Sequence, residues 1–144
     1  MQHLINYAMQ FVGRPYIWGG DDPMRGYDCS GYVQDLLHFA GEDPPGDQTA
    51  QALFNHFSEP TKGKYGIYGP GALAFYGKDA KHVTHIAFCI DQYRCLEAAG
   101  GGSTTLTEND AIKQNAFIRG GLIKRRSDFL CVIKPMYLKI GLLP

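Results

Sequence analysis

The chain has 144 residues, with 14 basic and 14 acidic side chains and a formal net charge of zero. This length suits one domain with a single core, and the balanced charge disfavours surfaces that bind nucleic acid or anionic lipid. A hydrophobic fraction of 44% excludes wholesale disorder, and the apolar runs are too short to span a bilayer. We therefore expect residues 1–144 to form a single domain, with no nucleic-acid partner and no membrane insertion.

Helical spacing of apolar residues predicts three helices in the first half of the chain. The first is predicted over residues 4–12. Asp28 is a candidate N-cap for a second helix, Cys29–Ala40, which Gly41 closes. A third, shorter helix is predicted over residues 49–57.

The second half of the chain favours strands. Apolar or alternating segments predict them at residues 72–76, 85–90, 93–98 and 129–134. The stretch between the last two carries no predicted element. Helices followed by antiparallel strands indicate the α+β fold class.

The cysteines are too few for a disulfide scaffold, and they lack the paired spacing of zinc ligands. Cys89 and Cys95 flank a predicted turn, so we expect them to face each other across a hairpin, most simply as free thiols. His82, His85 and Cys89 do not predict a metal site, because strand alternation turns His82 away from the other two. The remaining cysteines are Cys29 and Cys131.

Cys29 is the candidate nucleophile. It lies in the first turn of a predicted helix, where unpaired N–H groups favour the thiolate. Lowering a thiol pKa by about two units needs only about 2.7 kcal/mol, so we expect a lowered pKa. The alternative is a buried structural thiol. Gly31, which costs up to about 1 kcal/mol in a helix, indicates that another chain segment approaches closely there.

A cysteine nucleophile needs a base, and a histidine on a strand that faces the helix suits this role. His85 begins the alternating strand, whereas His82 precedes it in a turn, and the residues alone leave both open. Three further histidines lie on or beside helices among polar neighbours, so we expect them in solvent: His3, His38 and His56.

Three segments together resemble the NlpC-type cell-wall peptidases, papain-like cysteine hydrolases of bacteria and phages. They are Pro-Tyr-Ile-Trp-Gly-Gly at 15–20, Asp-Cys-Ser-Gly-Tyr at 28–32 and His-Ile-Ala-Phe at 85–88. The resemblance extends from the first helix to about Ala99. It implies a papain-like α+β fold, with N-terminal helices and the nucleophile helix packed on a small antiparallel sheet. It also implies a cofactor-free cysteine peptidase that hydrolyses a peptidoglycan stem-peptide amide, after γ-D-glutamate, through a thioester acyl-enzyme.

The resemblance assigns catalytic roles by position. Cys29 is the nucleophile and His85 the general base. The family's turn about six residues after its histidine matches Asp91 when counted from His85, but not when counted from His82. The third polar residue of the family, often a histidine on the next strand, is replaced by Glu97. Its carboxylate is expected to fix the imidazole tautomer and favour a thiolate–imidazolium pair.

The resemblance also suggests residues that contact the substrate. Tyr16 is expected to place its hydroxyl beside the cysteine, with core packing as the alternative. Asp28 and Ser30 are expected to hold amine or peptide groups, with helix capping as the alternative. Trp18 either walls the cleft or fills the core.

The chain departs from the family pattern at Ala72, where an acid is usual, and at Ala87, where glycine is usual. No signal peptide and no wall-binding module are visible in the sequence. We therefore expect a protein made in the cytoplasm that acts on the cell wall as a phage tail enzyme or endolysin, with phage tail proteins as partners. The alternatives are a catalytically silent structural or wall-binding module and an acyltransferase that uses the same triad.

Two further motifs are interpreted as non-functional. The glycine run at 100–102 lacks the lysine of a phosphate-binding loop. The basic segment Lys124-Arg125-Arg126 is expected to be a solvated turn.

Overall fold

The computed structural model describes residues 1–137. Within them lie four helices: α1 (Gln2–Met9), α2 (Cys29–Ala40), α3 (Ala50–Phe57) and α4 (Glu108–Gln114). The same residues form eight strands: β1 (Asp21–Asp22), β2 (Gly26–Tyr27), β3 (Gly63–Tyr65), β4 (Leu73–Gly77), β5 (Val83–Cys89), β6 (Arg94–Ala99), β7 (Phe117–Leu122) and β8 (Phe129–Pro135). This content confirms the α+β prediction.

Six strands form one antiparallel sheet in the order β3-β8-β4-β5-β6-β7, and β1 pairs with β2 as a separate ribbon. Because strand side chains alternate between faces, the sheet has two apolar surfaces. One packs beneath the helices and carries Leu73, Phe75, Ile86, Phe88 and Leu96. The opposite surface forms a second, smaller cluster: Ala72, Ala74, Tyr76, Ala87, Cys89, Cys95, Ile123 and Val132.

The β7–β8 connection, residues 123–128, lies over this second face of the sheet. The Tyr76 hydroxyl donates to the Ile123 carbonyl at 2.7 Å, and the guanidinium of Arg126 lies 5.2 Å from the centre of the Tyr76 ring. Tyr76 is the register partner of His85 across β4 and β5, so both project from this face. The connection therefore lies beside the candidate base.

Helix α2 has the predicted bounds because its two caps are strong. The Asp28 carboxylate accepts a hydrogen bond from the Gly31 N–H at 2.7 Å, and Gly41 ends the helix in the left-handed region at φ 75°. The buried side of α2 contacts β5 and β6. This packing sets the first residue of the helix, Cys29, against the sheet.

The predicted bounds are less accurate elsewhere. The first helix ends at Met9, since Phe11 and Val12 bond to carbonyls three residues back, which makes turns rather than α-helix. Helix α4 and strand β7 were not predicted. Helix α4 has seven residues and a capping box at Thr107, whereas β7 contains two glycines and lacks clear alternation.

The described cysteines are all free. Cys89 and Cys95 are register partners across β5 and β6, as predicted for a hairpin. Within residues 1–137, no group of three or more His, Cys, Asp or Glu side chains is arranged to hold a metal. In the same residues, no helix has the length and apolar content that crossing a bilayer requires.

Candidate active site

A cleft of about 180 Å³ opens at the N-terminus of α2. It lies where the start of this helix meets β5, the end of β6 and the β7–β8 connection. Its lining residues are Tyr16, Trp18, Cys29, Thr84, His85, Ala98, Ala99, Gly100, Gly101, Gly102 and Arg126. The cleft thus brings together two of the predicted catalytic residues and two of the predicted substrate contacts.

Cys29 is the first residue of α2, and its Sγ lies 4.0 Å from the carbonyl oxygen of Thr84, the neighbour of His85. Burial raises the pKa of the Cys29 thiol to about 11, and the carboxylate of Asp28 adds to this rise. The expected lowering of this pKa is therefore wrong. Backbone hydrogen bonds favour the thiolate, but desolvation outweighs them.

His85 and Glu97 form a buried pair. His85 Nε2 lies 2.7 Å from Glu97 Oε2, and Arg125 donates to the other oxygen, Oε1, at 2.8 Å. Glu97 is 2% exposed. Burial opposes its charged form, but the hydrogen bond with His85 and the positive charge of Arg125 outweigh burial and lower the pKa of Glu97. The carboxylate is therefore ionised at neutral pH and accepts hydrogen bonds through both oxygens.

This pairing fixes the tautomer of His85. An ionised carboxylate only accepts hydrogen bonds, so the proton between the two side chains belongs to Nε2 of His85. Nδ1 of the neutral ring is then unprotonated and free to accept a proton. The carboxylate of Glu97 can also stabilise the imidazolium that forms when Nδ1 is protonated.

The other histidine considered from the sequence lies elsewhere. His82 is exposed in the turn before β5, where its Nδ1 is 2.7 Å from Asp79 Oδ1. It does not line the cleft. The structure therefore places His85, not His82, in the cleft that Cys29 lines.

Tyr16 and Trp18 form one side of the cleft. The Tyr16 ring is buried and lies so close to Gly101 that a Cβ there would sit 2.2 Å from it. Burial, followed by the proximity of Cys29 and Asp28, raises the pKa of the Tyr16 hydroxyl. Trp18 is 52% exposed, so it walls the cleft rather than filling the core. Gly101, missed as a site residue in the sequence, makes room for the Tyr16 ring.

Asp28 and Ser30 are engaged in the helix cap. Asp28 Oδ1 accepts from the N–H of Gly31 and from the Ser30 hydroxyl, at 2.7 and 3.3 Å. Burial raises the pKa of Asp28 despite these bonds. Both side chains flank Cys29 but do not line the cleft. The geometry therefore shows their capping role.

The basic segment is more than a solvated turn. Arg125 bonds Glu97, and Arg126 lines the cleft and forms two hydrogen bonds to Asp128, at 2.9 and 2.8 Å. Lys124 and Arg125 keep the expected exposed positions, although the guanidinium of Arg125 reaches the buried Glu97. Arg125 and Glu97 are 28 residues apart, so no local pattern in the sequence could have indicated their pairing.

Gly31 permits a close approach, as predicted. A Cβ at this position would lie 2.0 Å from the carbonyl oxygen of Gly20. That carbonyl accepts the N–H of Asp28 at 3.0 Å. The glycine therefore lets the loop that carries Trp18 dock against the first turn of α2.

A helix that begins with a cysteine, packed on an antiparallel sheet that carries a histidine–carboxylate pair, is the arrangement of the papain-like α+β class. The NlpC/P60 family profile matches residues 13–121. The chain belongs to the NlpC/P60 family.

Two bacterial relatives are similar to this chain in sequence. The bifunctional muramidase/DL-endopeptidase CwlT of Bacillus subtilis is 31% identical over 97 residues, which cover 66% of this chain and 28% of CwlT. The murein DD-endopeptidase MepH of Escherichia coli is 55% identical over 39 residues, or 27% of this chain and 13% of MepH. The chain thus spans less than a third of either relative.

Solved structures share the fold. RipB, a peptidoglycan hydrolase of Mycobacterium tuberculosis, superposes with a TM-score of 0.62 at 20% identity, covering 92% of this chain and 62% of RipB. RipD of the same organism, a non-catalytic NlpC/p60 domain protein, superposes with a TM-score of 0.65 at 17% identity, covering 92% and 94%. At these identities the likeness concerns the fold alone.

Proposed function

We propose that the protein is a cysteine endopeptidase that hydrolyses an amide bond in the stem peptide of peptidoglycan. The observation that carries this proposal is the 2.7 Å pair of His85 and Glu97, because its histidine lines the same cleft as Cys29. A thiol, a base and a carboxylate that orients the base are the parts that nucleophilic acyl transfer requires. Membership of the family and the endopeptidase relatives support the same substrate class.

Acylation begins from a neutral thiol, because the pKa of Cys29 is about 11. As Sγ attacks the scissile carbonyl carbon, Nδ1 of His85 takes the thiol proton. Backbone N–H groups at the start of α2, including that of Cys29, stabilise the oxyanion. The tetrahedral intermediate then breaks its C–N bond, and the imidazolium gives its proton to the leaving amine. The product is a thioester on Cys29.

Deacylation uses the same base. Nδ1 of His85 removes a proton from water, whose oxygen attacks the thioester carbonyl carbon. The C–S bond breaks, the carboxylic acid product leaves, and Cys29 regains its proton from the imidazolium. Throughout both steps Glu97 keeps the ring orientation and balances the positive charge of the imidazolium.

The bond that we propose follows γ-D-glutamate, before the diamino acid. The family resemblance suggests this bond, and the name of CwlT supports it by designating a DL-endopeptidase. The predicted association with phage tail proteins stays a prediction.

The test uses purified muropeptides and mass spectrometry of the products. We expect the wild-type protein to release the two fragments of a stem-peptide cut and Cys29→Ala to release none. Cys131→Ala removes another partly buried thiol, which does not line the cleft, and is the matched control that keeps activity. Fragment release by folded Cys29→Ala at the wild-type rate would refute the proposal.

A second candidate function is binding of peptidoglycan without hydrolysis. The raised pKa of Cys29 favours it, because an un-ionised thiol is a poor nucleophile. In this case the wild-type protein and Cys29→Ala bind muropeptides equally, and neither yields fragments. Products of unexpected mass in the wild-type reaction alone would instead indicate acyl transfer to an amine.

A further inference from the structure

The Arg126 guanidinium enters the cleft in a fixed orientation. Asp128 accepts two hydrogen bonds, from Nε at 2.9 Å and from Nη2 at 2.8 Å, and the Tyr76 ring lies 5.2 Å from the guanidinium carbon. Hydrogen bonding to Arg126 lowers the pKa of Asp128, so the pair is charged at neutral pH. A group held this way loses little side-chain entropy when it binds a ligand.

Arg126 retains donors for a further partner. A guanidinium has five N–H groups, and the described bonds to Asp128 use two of them. The side chain is 35% exposed, and the residue lines the same cleft as Cys29 and His85. The remaining N–H groups suit a planar anion such as a carboxylate, which guanidinium groups bind in bidentate geometry.

The charges around the cleft are unevenly placed. Arg126 is the only permanently positive side chain among the described residues that line the cleft. Lys124 does not line the cleft, and its ammonium lies over the rings of Tyr68 and Phe129. Arg125 bonds Glu97 and does not line the cleft. An anion entering the cleft therefore meets one fixed donor group.

We propose that Arg126 binds a carboxylate of the substrate that is not part of the scissile amide. This inference rests on the proposed function. A glutamate linked through its γ-carbonyl keeps its own α-carboxylate a few bonds from that amide, within reach of a side chain that shares the cleft with the nucleophile. Arg126 then selects stem peptides with D-isoglutamate over those in which this carboxylate is amidated to D-isoglutamine.

The test compares two peptides that differ only at this group, L-Ala-γ-D-Glu-L-Lys and its α-carboxamide. We expect wild-type kcat/KM to favour the carboxylate peptide by about tenfold or more, as a charge-assisted hydrogen bond provides. Arg126→Gln brings the ratio of the two values close to one, and Arg126→Lys retains part of the preference. Lys124→Met removes the same charge two residues away and leaves the ratio unchanged.

A binding experiment separates this inference from the proposed function. Calorimetry with Cys29→Ala measures the affinities of both peptides without turnover, alone and combined with Arg126→Gln. If the wild-type protein cleaves neither peptide, but the affinity preference of Cys29→Ala disappears when Arg126→Gln is added, the hydrolase proposal fails and the carboxylate site stands. Equal affinities of Cys29→Ala for the two peptides would overturn the carboxylate site. An affinity preference that survives the addition of Arg126→Gln would also overturn it.

Discussion

Replacing Gly31 by alanine is expected to destabilise the protein, although alanine is the better helix former by about 1 kcal/mol. The new Cβ would lie 2.0 Å from Gly20 O and 2.9 Å from Asp28 Oδ1. Both distances are shorter than 3.0 Å, the closest approach that Cβ atoms make to other heavy atoms. The Gly20 carbonyl must therefore retreat by about 1 Å, which strains its hydrogen bond from Asp28. Overpacking costs about 1–3 kcal/mol and each weakened hydrogen bond about 1 kcal/mol, so we expect a net loss of about 2 kcal/mol.

Thermal unfolding followed by circular dichroism measures this loss, which corresponds to a melting temperature about 7 °C lower. Gly120→Ala is the matched control, because its Cβ would meet neighbours only at 3.8 and 3.9 Å. We also expect Gly31→Ala to lower turnover about 100-fold, since a 1 Å displacement beside a nucleophile has that effect. A Gly31→Ala protein that unfolds at or above the wild-type temperature would refute the close-approach argument.

Three further changes test the site and the core. Glu97→Gln keeps the shape but loses the charge that stabilises the imidazolium, so turnover should fall about 100-fold or more; an unchanged kcat would contradict the role given to the carboxylate. Folding lowers the pKa of Glu97, so the ionised carboxylate contributes to the free energy of unfolding at pH values above 4.5, its ordinary pKa. This contribution is lost as the pH falls through the lower pKa of the folded state. The unfolding free energies of wild type and Glu97→Gln measured at pH 7 and pH 3 should therefore converge at the lower pH, and a constant difference would count against this linkage. Tyr32→Phe removes the hydrogen bond from a buried hydroxyl to Ala8 O at 2.8 Å, which should cost about 1 kcal/mol in chemical denaturation; no loss would show that the bond contributes nothing net.

The parts of the fold that local chemistry determines were predictable. Helix α2 carries its own start and stop signals in Asp28 and Gly41, and its predicted bounds are confirmed. The alternation that begins at His85 indicated a strand that the structure extends two residues earlier, to Val83. Strand β7 was not predictable from its composition, because its place in the sheet comes from pairing with β6, a long-range contact.

The candidate site divides in the same way. The first turn of a predicted helix indicated Cys29, and the family resemblance selected His85 over His82 and suggested Glu97. The partner of Glu97, Arg125, belongs to a segment whose composition is typical of a surface turn, so only the folded chain shows the contact. The raised pKa of Cys29 was also missed, because the helix N-terminus is visible in the sequence whereas the burial that dominates the pKa is not.

The β7–β8 connection limits which insertions and substitutions the site can accept. Surface connections usually tolerate insertions and substitutions, but this one places adjacent side chains on two different tasks, with Arg125 on Glu97 and Arg126 in the cleft. A one-residue insertion would exchange or displace both at once. Under the roles proposed for Arg126 and His85, substrate preference and the alignment of the base are coupled through these six residues. We therefore expect the connection to accept side-chain replacements at constant length but not insertions, which an insertion scan of residues 123–128 would check.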